Sequence, residues 1–320
     1  MLYPLLFQPL FQERIWGGRS LEQLYRKALP PRIPVGESWE ISDRPEAQSI
    51  IQNGPLAGKS LQWLMQNHSR ELLGEARPLA GRFPLLVKIL DAREKLSLQV
   101  HPPAAQAPAL GGEPKTEMWF ITHAEPGAEL YAGLRRGATR SEFEARLAQG
   151  SVEACFHRIP VRAGDAMFLP SGRVHAIGAG LVIFEIQQNS DTTYRVFDWN
   201  RRDSEGKSRA LHVPESLACI DFSDFEPAPI HPPAHPAPEV HPLVHDPLFK
   251  VELATLALGK SLDLPLTSCC ILAGVKGEAE IDGHAISIQP GLFSLLPAAL
   301  KHARVKALSD CQILLAQPGA

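Results

Sequence analysis

Side chains able to bind a metal or move a proton recur at alternating positions in two short stretches of the chain. In the first stretch, Gln99 and His101 alternate with apolar residues, which predicts a strand with both polar side chains on one face. In the second stretch, Lys115 and Glu117 share a face in the same way. Two neighbouring strands would aim these four side chains into one space. The combination predicts a metal site with a proton-transfer group beside it.

A third stretch combines a strand, a tight turn and a histidine. Gly164 is followed six residues later by Pro170, and Gly172 and His175 come after it. Pro170 presets the φ angle of a turn and Gly172 accepts the positive φ that such a turn requires. The turn is therefore expected to hold His175 at a fixed place at the start of the next strand. This spacing resembles the second motif of the cupin family of small β-barrels, with Ala179 in place of the usual final Asn.

Taken together, five separated motifs closely resemble type I phosphomannose isomerase, in the short bacterial form of that zinc-dependent family. The motifs occur in the family's order and cover nearly the whole chain. They are WGG at 16–18, GESWEIS at 36–42, LSLQVHP at 96–102, KTEMW at 115–119 with the turn before His175, and FEIQQNSDTTYRVFDW at 184–199. The resemblance implies an isomerase that interconverts mannose 6-phosphate and fructose 6-phosphate, so the expected partner is a small sugar phosphate.

The same resemblance implies which residues form the active site. The implied zinc ligands are Gln99, His101, Glu117 and His175. The implied catalytic residues of the same cleft are Lys115, Asp191 and Arg195. Lys115 would donate a proton or stabilise the enediolate, and it would need a lowered pKa to act as a base. Arg195 would assist electrostatically around O1 and O2, and Asp191 would orient one of these side chains or serve as the base.

Several assignments have alternatives that the residues alone leave open. Lys115 can equally form a surface ion pair, and Arg195 can be a charge at a strand edge. Glu185 is either a buried structural acid or part of the site. The candidates for the substrate's phosphate are Ser97, Lys95 and Arg14. The loop that follows His101 departs from the family, because it begins with two prolines and two alanines where an acidic or polar residue is usual.

Two other functions remain compatible with this fold. The first is a different metal-dependent cupin sugar isomerase or epimerase, which substrate breadth would distinguish. The second is a non-catalytic module that binds a sugar phosphate. A binding module has no need for proton-transfer groups beside the metal ligands, so the presence of Lys115 and Arg195 favours an enzyme.

Composition and charge exclude several kinds of partner. A net charge of −3 provides no basic field for nucleic acid. No stretch approaches the roughly 18 apolar residues of a membrane span, and the first residues lack the basic region of a secretory signal. The five cysteines are odd in number and include the adjacent Cys269 and Cys270, which favours free thiols over disulfides. We therefore expect a cytoplasmic protein.

The expected fold is mainly β, with two cupin-like, jelly-roll barrels. Residues 1–225 are expected to form the catalytic barrel, with helical insertions at 60–76 and 139–149. Ser60 is the expected N-cap of the first helix, and Thr139 with Glu142 forms a capping-box pattern at the start of the second. Proline and histidine dominate 226–247, which predicts an irregular linker rather than a metal site. The four histidines of this linker are His231, His235, His241 and His245.

Residues 248–320 are expected to form a second barrel. Gly291, Pro297 and His302 repeat the spacing of the first turn motif, which indicates an internal duplication. Ala299 stands where the turn glycine would be, and no Gln-x-His or His-x-His pair precedes it. One histidine cannot hold a catalytic metal, so this barrel is expected to be structural and to lack metal ligands.

Overall fold

The computed structural model describes residues 2–202, 206–233 and 239–319, and these residues form a mainly β protein, as predicted. The strands of the first half are β1 Leu10–Gly18, β2 Val35–Ile41, β3 Asp43–Arg44, β4 Ala47–Gln48, β5 Leu85–Ala92, β6 Leu98–Val100, β7 Glu117–Ala124, β8 Glu129–Leu134 and β9 Phe156–Pro160. Those that follow are β10 Ala166–Leu169, β11 His175–Ile177, β12 Leu181–Gln188, β13 Tyr194–Phe197, β14 Glu239–His245, β15 Phe249–Leu256 and β16 Ser261–Pro265. The last are β17 Cys270–Lys276, β18 Ala279–Ile281, β19 Ser287–Ile288, β20 Phe293–Leu296, β21 His302–Ala307 and β22 Cys311–Pro318.

Short helices lie between the strands, and the two that the sequence predicts are present. The α-helices are α1 Ser20–Tyr25, α2 Leu61–Leu73, α3 Arg140–Ala148 and α4 Val213–Cys219, and the 3-10 helices are Pro108–Leu110, Val152–Cys155 and Ala298–Leu300. The Ser60 hydroxyl accepts a hydrogen bond from the Trp63 amide, and the Thr139 hydroxyl accepts one from the Glu142 amide. These side chains satisfy amides that the first helical turn leaves without a partner. Both N-terminal caps are therefore confirmed.

The chain divides into two compact units, and each is made of segments that are not continuous in sequence. The central unit comprises Arg14–Gly18 and Leu90–His231, and the terminal unit comprises Met1–Glu13, Arg19–Ile89 and Pro232–Ala320. This division differs from the expected boundary after residue 225. Most of the first 89 residues, including α1 and α2, group with the C-terminal strands rather than with the predicted metal ligands.

The central unit is built from antiparallel strands in two sheets. One sheet contains the order β12–β7–β10, and the other has the order β13–β6–β11–β8–β9. A buried apolar cluster combines residues of both sheets, among them Trp119, Met167, Leu130 and Ile177. On β7, Glu117 shares a face with Trp119 and Ile121 of this cluster, because residues two apart on a strand project to the same side. One face of the sheet therefore carries both packing and a polar group.

The terminal unit repeats this arrangement. In one sheet β17 lies between β20 and β22, as β7 lies between β10 and β12 in the central unit. In the other sheet β21 lies between β16 and β18, as β11 lies between β6 and β8. The predicted duplication is therefore visible in the strand order of the two units.

Part of the expected linker at 226–247 is a strand, which corrects that prediction. β14 contains His241 and His245 and pairs with β15 at the edge of its sheet. Pro242 lies within β14, where the pairing register shifts between Pro242 and Val244. Proline is tolerated at an edge strand with a bulge because no ladder hydrogen bond is lost there. His235 lies outside the described residues, and the His231 ring lies 2.7 Å from an Asp165 carboxylate oxygen.

The cysteines and the helices are the two remaining features on which the sequence makes a prediction. All five cysteines are free and buried, as predicted. Among the residues that the structure describes, no helix has the length and apolar character needed to cross a lipid bilayer.

Candidate metal centre and active site

Three side chains from three strands converge in the interior of the central unit. His101 Nε2 lies 3.3 Å from Glu117 Oε2, and His175 Nε2 lies 3.4 Å from Glu117 Oε1. One potential ligand atom from each residue falls within 4.8 Å of the others, and all three side chains are buried. Within the described residues, this is the one group of three histidine, cysteine or acidic side chains that close together.

Backbone hydrogen bonds fix both imidazole rings. His101 Nδ1 lies 2.9 Å from the carbonyl oxygen of Thr192, and His175 Nδ1 lies 2.9 Å from that of Arg173. A carbonyl oxygen only accepts, so each Nδ1 carries the proton and each Nε2 presents a lone pair. Metal-binding histidines are commonly oriented in this way by a partner on the other ring nitrogen.

Burial keeps both rings neutral. Burial and the Lys115 ammonium lower the pKa of His101 to about 3, despite the opposing effect of Glu117. Burial also lowers the pKa of His175, again against the attraction of Glu117. Neutral imidazole is the form that binds a metal, so the rings need not lose a proton first at neutral pH.

The atoms of this cluster that could bind a metal lack the hydrogen bonds that buried polar atoms normally make. His101 Nε2, His175 Nε2 and Glu117 Oε1 are buried and have no hydrogen-bond partner in the described residues. Unsatisfied buried polar atoms are rare in folded proteins, and several in one place indicate a missing ion. Two imidazole nitrogens and a carboxylate are a donor set that suits zinc with an open coordination position. The residues present therefore fit the expected metal.

Gln99 lies on the same face of the sheet as His175, but it is not one of the three residues of the cluster. It pairs directly with His175 on one side and with Arg195 on the other. Side chains at directly paired positions project to the same face of a sheet. The pairing register thus places the amide of Gln99 between His175 and Arg195, where an additional oxygen donor is expected.

Lys115 is buried beside the cluster. Its Nζ lies 3.0 Å from Glu117 Oε2, and its side chain is 5% exposed. Burial alone would lower the pKa of Lys115, but the carboxylates of Glu117, Glu185 and Asp191 together raise it above its ordinary value. The structure therefore places a buried ammonium group beside the candidate metal ligands, which rules out a simple surface ion pair. The depressed pKa that a general base would require is not found.

Arg195 and Asp191 are not members of the three-residue cluster. Arg195 donates a hydrogen bond from Nη1 to the carbonyl oxygen of Ala210, and its buried Nε has no hydrogen-bond partner among the described residues. Burial and the nearby Arg209 lower its pKa from the ordinary value. Asp191 is exposed in the loop between β12 and β13, and its charge acts on Lys115.

Glu185 combines the two roles that the sequence left open. It is 4% exposed and accepts a hydrogen bond of 2.9 Å from Trp119 Nε1. The edge of the Trp119 ring system in turn contacts His175, with 5.3 Å between ring centroids. Glu185 is thus a structural acid that orients a wall of the site, and its charge also acts on Lys115.

The structure gives a different role to one phosphate candidate. The Lys95 ammonium lies over the Trp199 ring, 3.7 Å from its centroid, and 4.0 Å from Glu153. Ser97 is 6% exposed. Neither observation identifies a phosphate site.

Sequence reasoning missed three contributors to the site. Thr192 and Arg173 act through main-chain carbonyl groups, which leave no signal in residue type. Gln187 is fully buried and pairs directly with Glu117. Its alternation with Glu185 on β12 was the available signal, because residues two apart on a strand share a face.

Comparison with known proteins agrees with this geometry. The profile of the family "Phosphomannose isomerase type I, catalytic domain" matches residues 5–111. The mannose-6-phosphate isomerase of Streptococcus mutans is 36% identical over 312 residues, which are 94% of this chain and 94% of that protein. The chain belongs to the type I phosphomannose isomerase family.

Solved structures of mannose 6-phosphate isomerases share the fold. The crystal structure of the Bacillus subtilis mannose 6-phosphate isomerase has a TM-score of 0.82 and 28% sequence identity, and the match covers 99% of this chain and all of that one. A zinc-bound mannose 6-phosphate isomerase has a TM-score of 0.76 and 19% identity, with 99% and 100% of the two chains covered. At that identity the second likeness shows the fold alone.

Proposed function

We propose that this protein is a zinc-dependent isomerase that interconverts mannose 6-phosphate and fructose 6-phosphate. The observation that supports the proposal is the cluster of potential metal-binding atoms on His101, Glu117 and His175, which lack hydrogen-bond partners among the described residues. The Lys115 ammonium lies beside them, 3.0 Å from Glu117. Family membership supports the substrate, because the curated relative that matches 94% of the chain is a mannose-6-phosphate isomerase. The free cysteines are consistent with a cytoplasmic location.

His101, Glu117 and His175 would hold the zinc, and Gln99 would add an oxygen donor from the paired position beside His175. When bound, zinc supplies a Lewis acid that polarises the carbonyl group of the sugar. The reaction itself moves a proton between C2 and C1 and another between O1 and O2, so substrate and product have the same atoms. The chain's own residues must therefore remove, stabilise and return protons without a net gain or loss.

Lys115 is suited to stabilise negative charge as it develops on the sugar oxygens. Its ammonium group is buried, and low-dielectric surroundings strengthen such an interaction. Arg195 would add a second cation, since it pairs directly with Gln99 and its buried Nε has no hydrogen-bond partner among the described residues. Asp191 is the candidate base, since it is an exposed carboxylate on the loop that joins the strands carrying Glu185 and Arg195.

The test is a coupled assay of mannose 6-phosphate conversion on purified protein, before chelation, after chelation and after zinc is added back. We expect activity to disappear on chelation and to return with zinc. Activity that survives complete removal of metal would refute zinc dependence. Folded, zinc-loaded protein that converts other sugar phosphates but not mannose 6-phosphate would refute the substrate assignment.

A further inference from the structure

A buried amide on β12 carries an acceptor that belongs neither to the candidate ligand set nor to the proton-transfer groups. Gln187 is 0% exposed, and its Nε2 donates hydrogen bonds to the carbonyl oxygens of Gln188 at 2.9 Å and Ser190 at 2.5 Å. Its Oε1 is buried and has no hydrogen-bond partner in the described residues. A buried acceptor without a donor is costly, so one that persists requires a physical reason.

The register of the strands shows where this acceptor lies. Gln187 pairs directly with Glu117, and Glu185 pairs directly with Trp119. Side chains at paired positions share a face of the sheet. The hydrogen bond between Trp119 Nε1 and Glu185 demonstrates that these paired side chains meet across the strands. Gln187 is therefore on the face of the sheet that carries the metal ligand Glu117.

The orientation of the amide is fixed. If the amide were flipped, Oε1 would face the carbonyl oxygens of Gln188 and Ser190, and neither can donate a hydrogen bond. The atom of Gln187 that remains available to a ligand is thus Oε1, which is a neutral acceptor. The main chain holds it in place through the hydrogen bonds that Nε2 donates. Such an acceptor requires an O–H or N–H donor, and both a water molecule and a sugar hydroxyl supply an O–H.

We propose that Gln187 positions the substrate by accepting a hydrogen bond from an O–H group held beside Glu117. In the free protein this group is water, and in the complex it is a hydroxyl of the sugar. The identity of the sugar rests on the function proposed above, but the acceptor role does not. A neutral amide suits this place because a second carboxylate next to Glu117 would repel it.

The experiment compares wild-type protein with Gln187→Met, which keeps the side chain's size and removes the acceptor, and with Gln187→Asn, which keeps the amide and retracts its oxygen. The matched control is Ser294→Ala in the terminal unit, which removes a different buried polar group that also has no hydrogen-bond partner among the described residues. For each protein, zinc affinity is measured by competition with a chelator, and kcat and KM are measured for mannose 6-phosphate. Thermal unfolding establishes that each variant is folded.

We expect Gln187→Met to raise KM roughly tenfold, the usual effect of one neutral hydrogen bond. A loss of zinc affinity at unchanged KM would overturn the role in substrate binding. An increase in KM at unchanged zinc affinity identifies a sugar hydroxyl. Gln187→Asn should change the same quantity, and Ser294→Ala should change neither.

Zinc affinity and KM within twofold of wild type in a folded Gln187→Met variant would overturn the proposal. Failure of both Gln187 variants to fold would overturn it as well, because the side chain would then be structural. If the wild type itself does not convert mannose 6-phosphate, the proposed function fails, while the zinc titration still tests Gln187.

Discussion

The two units share a strand order but use their interiors differently. Glu117 is the first residue of β7 and lies beside His101 and His175, whereas Cys270, the first residue of β17, belongs to an apolar cluster. The histidines of the two turn motifs differ as well, since the His175 side chain is 1% exposed and that of His302 is 56% exposed. The same architecture can therefore hold a charged site or an apolar core, depending on a few side chains.

The turn before the histidine explains part of this difference. Gly172 adopts a φ of 90°, and its amide donates a hydrogen bond to the carbonyl oxygen of His101. In the terminal unit the corresponding segment forms a 3-10 turn over Ala298–Leu300, and Lys301 takes the positive φ instead. His302 then begins a strand whose first residue faces outward. Loss of one turn glycine thus accompanies reversal of the face on which the histidine lies.

The strongest test of this contrast removes a histidine from each unit. His175→Ala should lower zinc affinity about a hundredfold or more. The free energy of zinc binding at structural sites is about 10–16 kcal/mol, which divided among four ligands gives roughly 3 kcal/mol for each ligand. Activity should fall with the metal content, measured by elemental analysis of dialysed protein. His302→Ala is the control and should retain both. A fully metallated, active His175→Ala variant would remove this residue from the ligand set.

The second test introduces a carboxylate into the terminal unit. Cys270→Glu should destabilise the protein by about 4 kcal/mol, because Cys270 is 2% exposed within an apolar cluster and burial of a carboxylate there is costly. The zinc content should stay at one ion per chain, because His302 faces outward. Denaturant unfolding and metal analysis would check both values. A second zinc ion in the variant would show that the terminal unit had lost only one ligand.

The third test concerns the buried lysine. Lys115→Met should keep zinc and reduce kcat roughly a hundredfold, the usual contribution of a positioned proton-transfer or charge-stabilising group. Lys306→Met in the terminal unit is the control, since Lys306 forms an exposed ion pair of 3.3 Å with Glu280. Steady-state kinetics on zinc-loaded protein would measure the effect. Normal turnover in the Lys115 variant would make this ammonium group a bystander.

The smallest expected effect is a pH dependence of stability in the central unit. Burial would raise the pKa of Asp198, but hydrogen bonds from Arg209 and Arg201 lower it below its ordinary value of 3.8. A carboxyl whose pKa is lower in the folded state stabilises the protein above its unfolded-state pKa, and this stabilisation is lost as the pH falls through the folded-state value.

Asp198→Asn should therefore cost about 1–2 kcal/mol at neutral pH, and the difference from wild type should shrink below about pH 4. Urea unfolding at several pH values would measure it. Asp263→Asn, at an exposed carboxylate of the terminal unit, should change stability by no more than about 0.5 kcal/mol. A difference for Asp198→Asn that stayed constant down to pH 2 would contradict the ionic origin.

Much of the site follows from the sequence, because strand alternation places side chains on faces without any knowledge of the whole fold. Alternation was enough to group Lys115 with Glu117, and turn chemistry was enough to locate His175. The two predicted helix caps follow from equally local rules. In each case, residues close in the sequence determine the outcome.

The division of the chain and the direction of His302 could not be predicted in this way. Both depend on contacts between residues far apart, such as the pairing of His302 with Pro265 and of His175 with Gln99. The strand β14 was obscured by its prolines, which an edge position with a bulge accommodates. The main-chain hydrogen-bond partners of His101 and His175 could not be predicted either, since every residue type carries a carbonyl group.

That last point has a consequence for how the protein tolerates mutation. The acceptors that orient His101 and His175 are the carbonyl oxygens of Thr192 and Arg173, and all twenty amino acids would provide the same oxygen. No single codon change at either position can delete the hydrogen bond directly. A mutational scan would thus record only the effects of the two side chains, such as the ion pair of Arg173 with Asp224, and not the carbonyl groups that set the tautomer of the candidate metal ligands. Only a shift of the loop itself would alter which ring nitrogen is available to the metal.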